Sequence, residues 1–369
     1  MSTEVNSIPE AAQERRDALI GRLFQSTLGT MDLLNVYLGD RLGLFRALAQ
    51  RGALTSTELA SAAGIHERYA REWLEQQAVS ALIDVDNALL PHTERRYRLP
   101  TGHDEVLIDR DSLNYLAYLG RFVAALGQVT PHLLEAFRTG GGVSWGTYGE
   151  DARVAQAEQN RPILMHLLGK EWLPAIADVH QRLQHEPPAR VADIGCGAGW
   201  ASIAIAGAYP QVQVDGYDLD SDSIELAREN ARQFGVSDRV TFHLQDVADP
   251  SLTGQYDLVM GFEMLHDLPQ PVETLKVMRN LLTPDGSIFI MDERVAEAFV
   301  APGDETERLY YGFSTLCCLA TGMADQPSAA TGTVMRPETM KRYALEAGFR
   351  DVEILPIEHD LFRFYRPVL

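Results

Sequence analysis

Apolar positions along the chain change period twice. Over residues 16–52, "RDALIGRLFQSTLGTMDLLNVYLGDRLGLFRALAQRG", they recur at helical spacing, with expected breaks at Gly39 and Gly43 and a stop at Gly52. The next stretch, "LTSTELASAAGIHERYAREWLEQQAVSALIDV", predicts two short helices around Gly64, the first capped by Thr55 or Ser56. "ALIDVDNALLPHTERRYRLP" predicts a small hairpin with a polar tip. Residues 103–188 are mostly of helical period, interrupted by "RTGGGVSWGTYGED", whose three glycines predict a mobile loop anchored by aromatic residues. From residue 189 the pattern becomes alternating. Five short apolar runs, "RVADIG", "VQVDGYDL", "VTFHLQD", "YDLVMGFE" and "GSIFIMDE", are separated by helical segments such as "SDSIELARENARQFG", with Ser221 or Asp222 as the expected cap and Gly235 as the stop. The tail from 349 predicts two strands joined by a tight connection.

Helix, turn, helix and hairpin in the first 102 residues make the pattern of a winged helix. Strand–helix alternation after 189 implies a parallel sheet covered by helices on both faces, an α/β fold. The expected division is therefore 1–102, a helical linker or lid over 103–188, and 189–369, with the prolines of "HEPPAR" at the second boundary.

Composition narrows the function. The chain has 369 residues, 46% hydrophobic and 23% charged, as in an ordinary globular protein. Nothing approaches a membrane span, and the polar N-terminus does not resemble a secretory signal. The three cysteines, Cys196, Cys317 and Cys318, make a poor disulfide framework and share no paired metal-ligand spacing with the histidines. A cytoplasmic protein without structural zinc is expected. The net charge of −20 opposes binding to a phosphate backbone. Residues 1–100 hold 11 arginines, no lysine and 13 acidic side chains, a net −2 where a DNA reader needs a basic face. The apolar run "MDLLNVYLGDRLGLFRAL" suits a homodimer contact instead.

Chemistry concentrates at "RVADIGCGAGW", where a buried strand ends in glycines. Such a loop lies at the carboxyl edge of an open α/β sheet, where ligands bind. A nicotinamide fingerprint needs a third small residue for helix–strand contact, and Trp200 occupies that position. "DIGCGAG" instead resembles motif I of class I S-adenosylmethionine-dependent methyltransferases, and the downstream spacing agrees. Asp218 follows by about 20 residues, Asp246 ends the third strand in "LQDVAD", and "LVMGFEMLHDL" ends the fourth. Together with "AEQNRPILMHLLGKEWLPAI" and "GTVMRPETMKRYALEAGF", this resembles bacterial members that carry an N-terminal winged-helix dimerisation domain and are similar to small-molecule O-methyltransferases.

The resemblance implies a Rossmann-like, mostly parallel sheet of seven strands. It implies S-adenosylmethionine as donor and S-adenosylhomocysteine as product, held by Asp193, Gly195, Cys196, Gly197 and Gly199, by Asp218 and Leu219 at the ribose, by Asp246 and Val247 at the adenine, and by Glu263. "LHDL" is similar to the segment whose histidine is the general base, although Leu268 stands where the family has Trp. His266 is thus either the base for a hydroxyl acceptor or a positioning residue, and Asp267 either orients its ring or caps a turn. Trp145, Tyr148, Tyr310, Tyr311 and Met323 are candidate walls for an aromatic or lipophilic acceptor, or else packing residues. Transfer to N, S or C, and a ligand-sensing regulator built on the winged helix, stay open as alternatives.

Overall fold

The computed structural model describes residues 9–369, so the reading of the first eight residues lies outside it. The polypeptide divides into two compact units, Met1–Ala124 and Ala125–Leu369.

The first unit opens with a 32-residue helix, α1 (Glu10–Arg41), followed by α2 (Leu44–Arg51), α3 (Ser56–Ala63) and α4 (Glu67–Val79). Thr55 caps α3 in a reciprocal capping box with Glu58. Strands β1 (Asp84–Val85) and β2 (Tyr97–Arg98) pair antiparallel, and Leu54 bridges to Tyr97. A short helix, α5 (His103–Leu107), follows, and α6 (Tyr118–Thr139) carries the chain into the second unit. Gly39 does not break α1. The break falls at Gly43, which adopts the left-handed φ of +68°. Gly39 serves close packing, because a Cβ there would lie 2.4 Å from the ring of Phe45 and 2.6 Å from that of Trp73.

The second unit continues with α7 (Trp145–Ile163), which passes into π-helical turns over Leu164–Trp172, and α8 (Ala177–Gln184). The alternating region then runs β3 (Arg190–Ile194), α9 (Trp200–Ala208), β4 (Gln213–Asp218), α10 (Ser221–Gln233), β5 (Val240–Leu244), β6 (Tyr256–Phe262), α11 (Pro271–Asn280) and β7 (Leu282–Glu293). It closes with α12 (Glu305–Phe313), π-helical turns at Ser314–Cys318, α13 (Leu319–Gly322), α14 (Pro337–Glu346), β8 (Asp351–Ile354) and β9 (Phe362–Val368). All seven strands form one sheet in the order β5-β4-β3-β6-β7-β9-β8, parallel except for β9, which runs antiparallel to both neighbours. One apolar core joins the turns after α7, α8, α9 and α10 to one face; a second joins α11 and α14 to the other. This is the Rossmann-like α/β arrangement, and the order reverses between β3 and β6.

Two local expectations are revised. Asp220, not Ser221 or Asp222, caps α10, accepting from Ser223 N at 2.9 Å. The glycine-rich stretch is shorter than expected as a loop: α7 begins at Trp145, and Val143 N donates to Ala320 O at 2.9 Å. No helix of the described residues is long and apolar enough to cross a membrane.

Overpacking a filled core costs about 1–3 kcal/mol. Gly39→Ala is therefore expected to lower the urea midpoint of the first unit, despite alanine's better helix propensity. An unchanged midpoint would show that Phe45 and Trp73 yield at no cost.

Candidate active site

The crevice at the β3/β6 reversal is built from two strand ends. After Ile194 the loop turns through Gly195, Gly197 and Gly199, with φ of +69°, +50° and +80°. Only glycine enters that region freely, so the glycine requirement is first a backbone one. The three then differ. A Cβ on Gly199 would lie 2.5 Å from Phe242, and one on Gly195 would lie 3.0 Å from Met264, whereas nothing lies within 4 Å of the position above Gly197. Gly197 alone of the three has its Cβ direction open to an occupant. Gly195 N and Cys196 N both donate to Tyr217 O, at 2.9 and 3.0 Å, tying the loop to β4.

Carboxylates hold the loop from beneath. Asp193 is buried and accepts from the amide and hydroxyl of Ser202, at 3.1 and 2.6 Å, which pins the first turns of α9 to β3. Burial pushes its carboxyl up to about 6 despite these bonds. Asp218, at the end of β4, accepts from Gly197 N at 2.8 Å and Asp220 N at 2.9 Å, and burial raises its pKa. At the end of β5, Asp246 is exposed and Val247 buried, while Leu219 points outward. The Cys196 thiol is buried and pushed well up, so it is no nucleophile. Trp200 packs edge-on to Phe234 beneath the guanidinium of Arg161.

Glu263 follows β6 with a left-handed φ of +50°, a strained conformation for a non-glycine residue. Its carboxylate accepts from Gln156 Nε2 at 3.0 Å, reaching it from α7, and burial raises its pKa to about 7. His266 lies three residues further, in the single turn Leu265–Asp267, and is 2% exposed. Its Nδ1 lies 2.9 Å from Asp292 Oδ1 and 3.0 Å from Glu293 Oε2, both at the end of β7. Its Nε2 lies 3.3 Å from Asp267 Oδ1, outside hydrogen-bond geometry, and faces the Cys318 thiol.

Burial alone would lower the imidazole pKa. Glu293, Asp292 and Asp267 outweigh it and hold the ring well above its ordinary value. Asp292 is pushed up by burial but kept below the usual range by His266, whereas Glu293, facing both burial and Asp292, is raised far above it. Nδ1 thus stands between two carboxyls whose proton affinities are pushed in opposite directions, Asp292 toward its charged form and Glu293 toward its protonated one. The Cys317 thiol is pushed well up by its neighbour Cys318 and by burial, whereas the Cys318 thiol is lowered, chiefly by Cys317.

Trp145 stacks on Tyr148 at 5.9 Å, and both pack with Cys317, Cys318 and Ala320. Tyr148 is buried, and its hydroxyl donates to Leu316 O. Tyr310 is buried near Glu293 and donates to Leu361 O. Tyr311 is partly exposed and accepts from Arg336, and half-buried Met323 ends α13. The structure therefore brings Trp145 and Tyr148 to the Cys318 side of His266 and leaves Tyr311 on an outer ion-pair network. Sequence reasoning missed Gln156, Asp292, Glu293 and Cys318. The acids of "FIMDE" ended a strand whose neighbours in space were unknown, and no local spacing tied them to "LHDL".

Residues 185–341 match the model of a methyltransferase domain, and residues 30–109 that of an Rv2258c-like winged HTH domain. The chain is 35% identical over 108 residues to a ubiquinone biosynthesis O-methyltransferase of Xanthomonas campestris pv. campestris (strain B100), covering 28% of this chain and 43% of that protein. It thus spans less than half of such relatives. The fold is similar to that of the mitomycin 7-O-methyltransferase MmcR (TM-score 0.70, 19% identity, 97% of this chain and 100% of that one). It is also similar to human N-acetylserotonin methyltransferase in complex with SAM (TM-score 0.67, 18% identity, 100% and 99%).

Removing the imidazole leaves buried carboxyls without their cation, which costs about 3–5 kcal/mol. His266→Ala is expected to lose stability of that order at pH 6, measured by urea unfolding. Because the folded pKa of His266 is raised, its contribution is complete below the unfolded value and fades as pH rises through the folded one, so the deficit should shrink toward alkaline pH. A deficit independent of pH would mean the ring acts by packing alone.

Proposed function

We propose that the chain is an S-adenosylmethionine-dependent methyltransferase with a winged helix ahead of its methyltransferase domain, and that it methylates a hydroxyl of a small aromatic or lipophilic molecule. The observation that carries this reading is the orientation of His266. Nδ1 is held by Asp292, while Nε2 faces the side lined by Cys318, Trp145 and Tyr148.

The donor fits the crevice on the chain's own terms. The open position above Gly197 suits the amino-acid end, Asp218 and Asp246 on adjacent strand ends suit the ribose and adenine, and the acids around Glu263 suit a cation. When bound, the donor supplies an activated methyl on a sulfonium. The remaining catalysis is alignment and removal of one proton. His266 Nε2 takes that proton from the acceptor hydroxyl, and Nδ1–H to Asp292 keeps the ring turned and stabilises the imidazolium that forms. Because the neighbouring acids favour the protonated ring, it accepts the hydroxyl proton only after giving up its own. The stacked Trp145–Tyr148 pair offers an aromatic acceptor a flat apolar wall.

The winged helix is read here as a dimerisation unit. On α4, Arg68 pairs with Glu72 at 2.5 Å and Arg71 with Glu67 at 3.7 Å, so the element that would read DNA presents neutralised charge. Along α1, Ile20, Leu23, Phe24 and Met31 are each more than half exposed, an apolar stripe that a second copy of the chain would cover. The three free cysteines suit a reducing cytoplasm.

Calorimetric titration tests the donor assignment. S-adenosylmethionine should bind one per chain and NADH should not. Asp218→Ala should weaken that binding, and His266→Gln should preserve it while abolishing turnover of a hydroxyl acceptor. Failure to bind the donor or S-adenosylhomocysteine removes the proposal; full turnover by His266→Gln removes the base. Light scattering should give the mass of two chains, and a monomer at micromolar concentration would rule the dimer out.

A further inference from the structure

The acceptor side of His266 brings an aspartate and a cysteine, neither of which takes part in the proton transfer, beside the imidazole. His266 Nε2, an Asp267 carboxylate oxygen and Cys318 Sγ all lie within 4.8 Å of one another. They come from the turn after β6 and from the π-helical turns after α12. These segments are locked together, since a Cβ on Gly322 would lie only 3.0 Å from Asp267 O, and Gly332 N donates to His266 O. Asp267 Oδ1 is buried without a hydrogen bond, an oxygen left with spare coordination capacity.

We propose that His266, Asp267 and Cys318 form a binding site for a thiophilic divalent cation, zinc by its chemistry, whose occupancy blocks the imidazole. One nitrogen, one thiolate and one carboxylate are the donor types that zinc selects over magnesium or calcium. Ligand bonds of about 2.0–2.3 Å in a tetrahedron place the donor atoms roughly 3.3–3.8 Å apart. Small side-chain rotations from the present separations reach that spacing. Three protein ligands leave the fourth position to water. Asp292, accepting from Nδ1, completes the carboxylate–histidine–metal arrangement that fixes the ring and raises its basicity. Binding displaces the proton of the Cys318 thiol and that of Nε2; both go to solvent. The ion then occupies the nitrogen lone pair that would accept the acceptor's proton. The other candidate group, His266 with Asp292 and Glu293, is wholly buried and consumes Nδ1 in the bond that orients the ring.

Zinc binding stands independently of the proposed reaction; only its inhibitory consequence rests on His266 being the base. The test begins with full-length protein stripped by a chelator and titrated with zinc chloride alone, without donor or acceptor. One ion per chain is expected. Cobalt in its place should give a visible tetrahedral spectrum and a thiolate-to-metal charge-transfer band. Cys318→Ser should remove that band and weaken zinc by more than the roughly 10–100-fold that losing an outer-shell partner costs. Asp267→Asn should weaken zinc as well, and Cys317→Ser should keep the band. Unchanged donor affinity in Cys318→Ser would verify that the variant is folded. In turnover assays zinc should inhibit the wild type reversibly, and the zinc needed to halve the turnover of Cys318→Ser, taken against that variant's own zinc-free rate, should rise in step with its weakened zinc binding. Absence of stoichiometric binding, a cobalt spectrum without a thiolate band, or zinc affinity indifferent to Cys318→Ser would overturn the site. Binding without inhibition would overturn its role as a block.

Discussion

A histidine buried against acids at the edge of a parallel sheet is the constraint on which the rest of the second unit turns. Left alone in an apolar interior, His266 would be neutral and Asp292 protonated. At 2.9 Å from each other each favours the charged form of the other, and Glu293, one residue along, is pushed toward its protonated form by burial and by the charge of Asp292. This arrangement needs β6 and β7 to be parallel neighbours in register, so that the turn after Phe262 arrives beside the end of β7. It also needs Glu263 to accept a left-handed backbone, a local cost offset by the bonds its carboxylate and amide make.

The same reversal of strand order sets the donor loop next to that histidine. β3 pairs with β4 on one side and β6 on the other, so the loop after Ile194 and the turn after Phe262 share one crevice. Met264 packs at the limit of contact with Gly195, which couples the two sides physically. The glycines are not interchangeable. Gly199 lets α9 approach β5 through Phe242, Gly195 admits Met264, and Gly197 keeps its Cβ direction clear. A repeated residue type thus serves two purposes, close packing and ligand approach, within five positions.

Cover for the site comes from α7 and from the turns around Cys318, not from the sheet. Gln156 reaches down to Glu263, Arg153 pairs with Asp220 at 2.7 Å, and Tyr148 is anchored on Leu316. The stretch with three glycines is irregular over 140–144, where Val143 bonds to α13, and it turns helical only from Trp145. Its aromatic residues are thereby held in fixed positions beside the candidate base. Wide helical turns occur twice in these covering segments, at Leu164–Trp172 and Ser314–Cys318, and the second presents Cys318 to His266.

Local order was legible in the chain by itself. Alternation of apolar runs with helical segments is a consequence of short-range geometry, so all five parallel strands, the capping of α3 and the glycine loop could be read from neighbouring residues. Asp218 at the end of β4 and Asp246 just past the end of β5 could be placed from the interval between the strands. What joined His266 to Asp292, Glu293 and Cys318 was beyond that reach. Those residues lie 26 to 52 positions away along the chain, and only the pairing of β6 with β7 and the packing of the turns after α12 bring them within a few ångströms. Charge states depended on the same step, because a carboxyl's proton is decided by which groups it is buried among, and burial is a property of the folded chain rather than of any stretch of it.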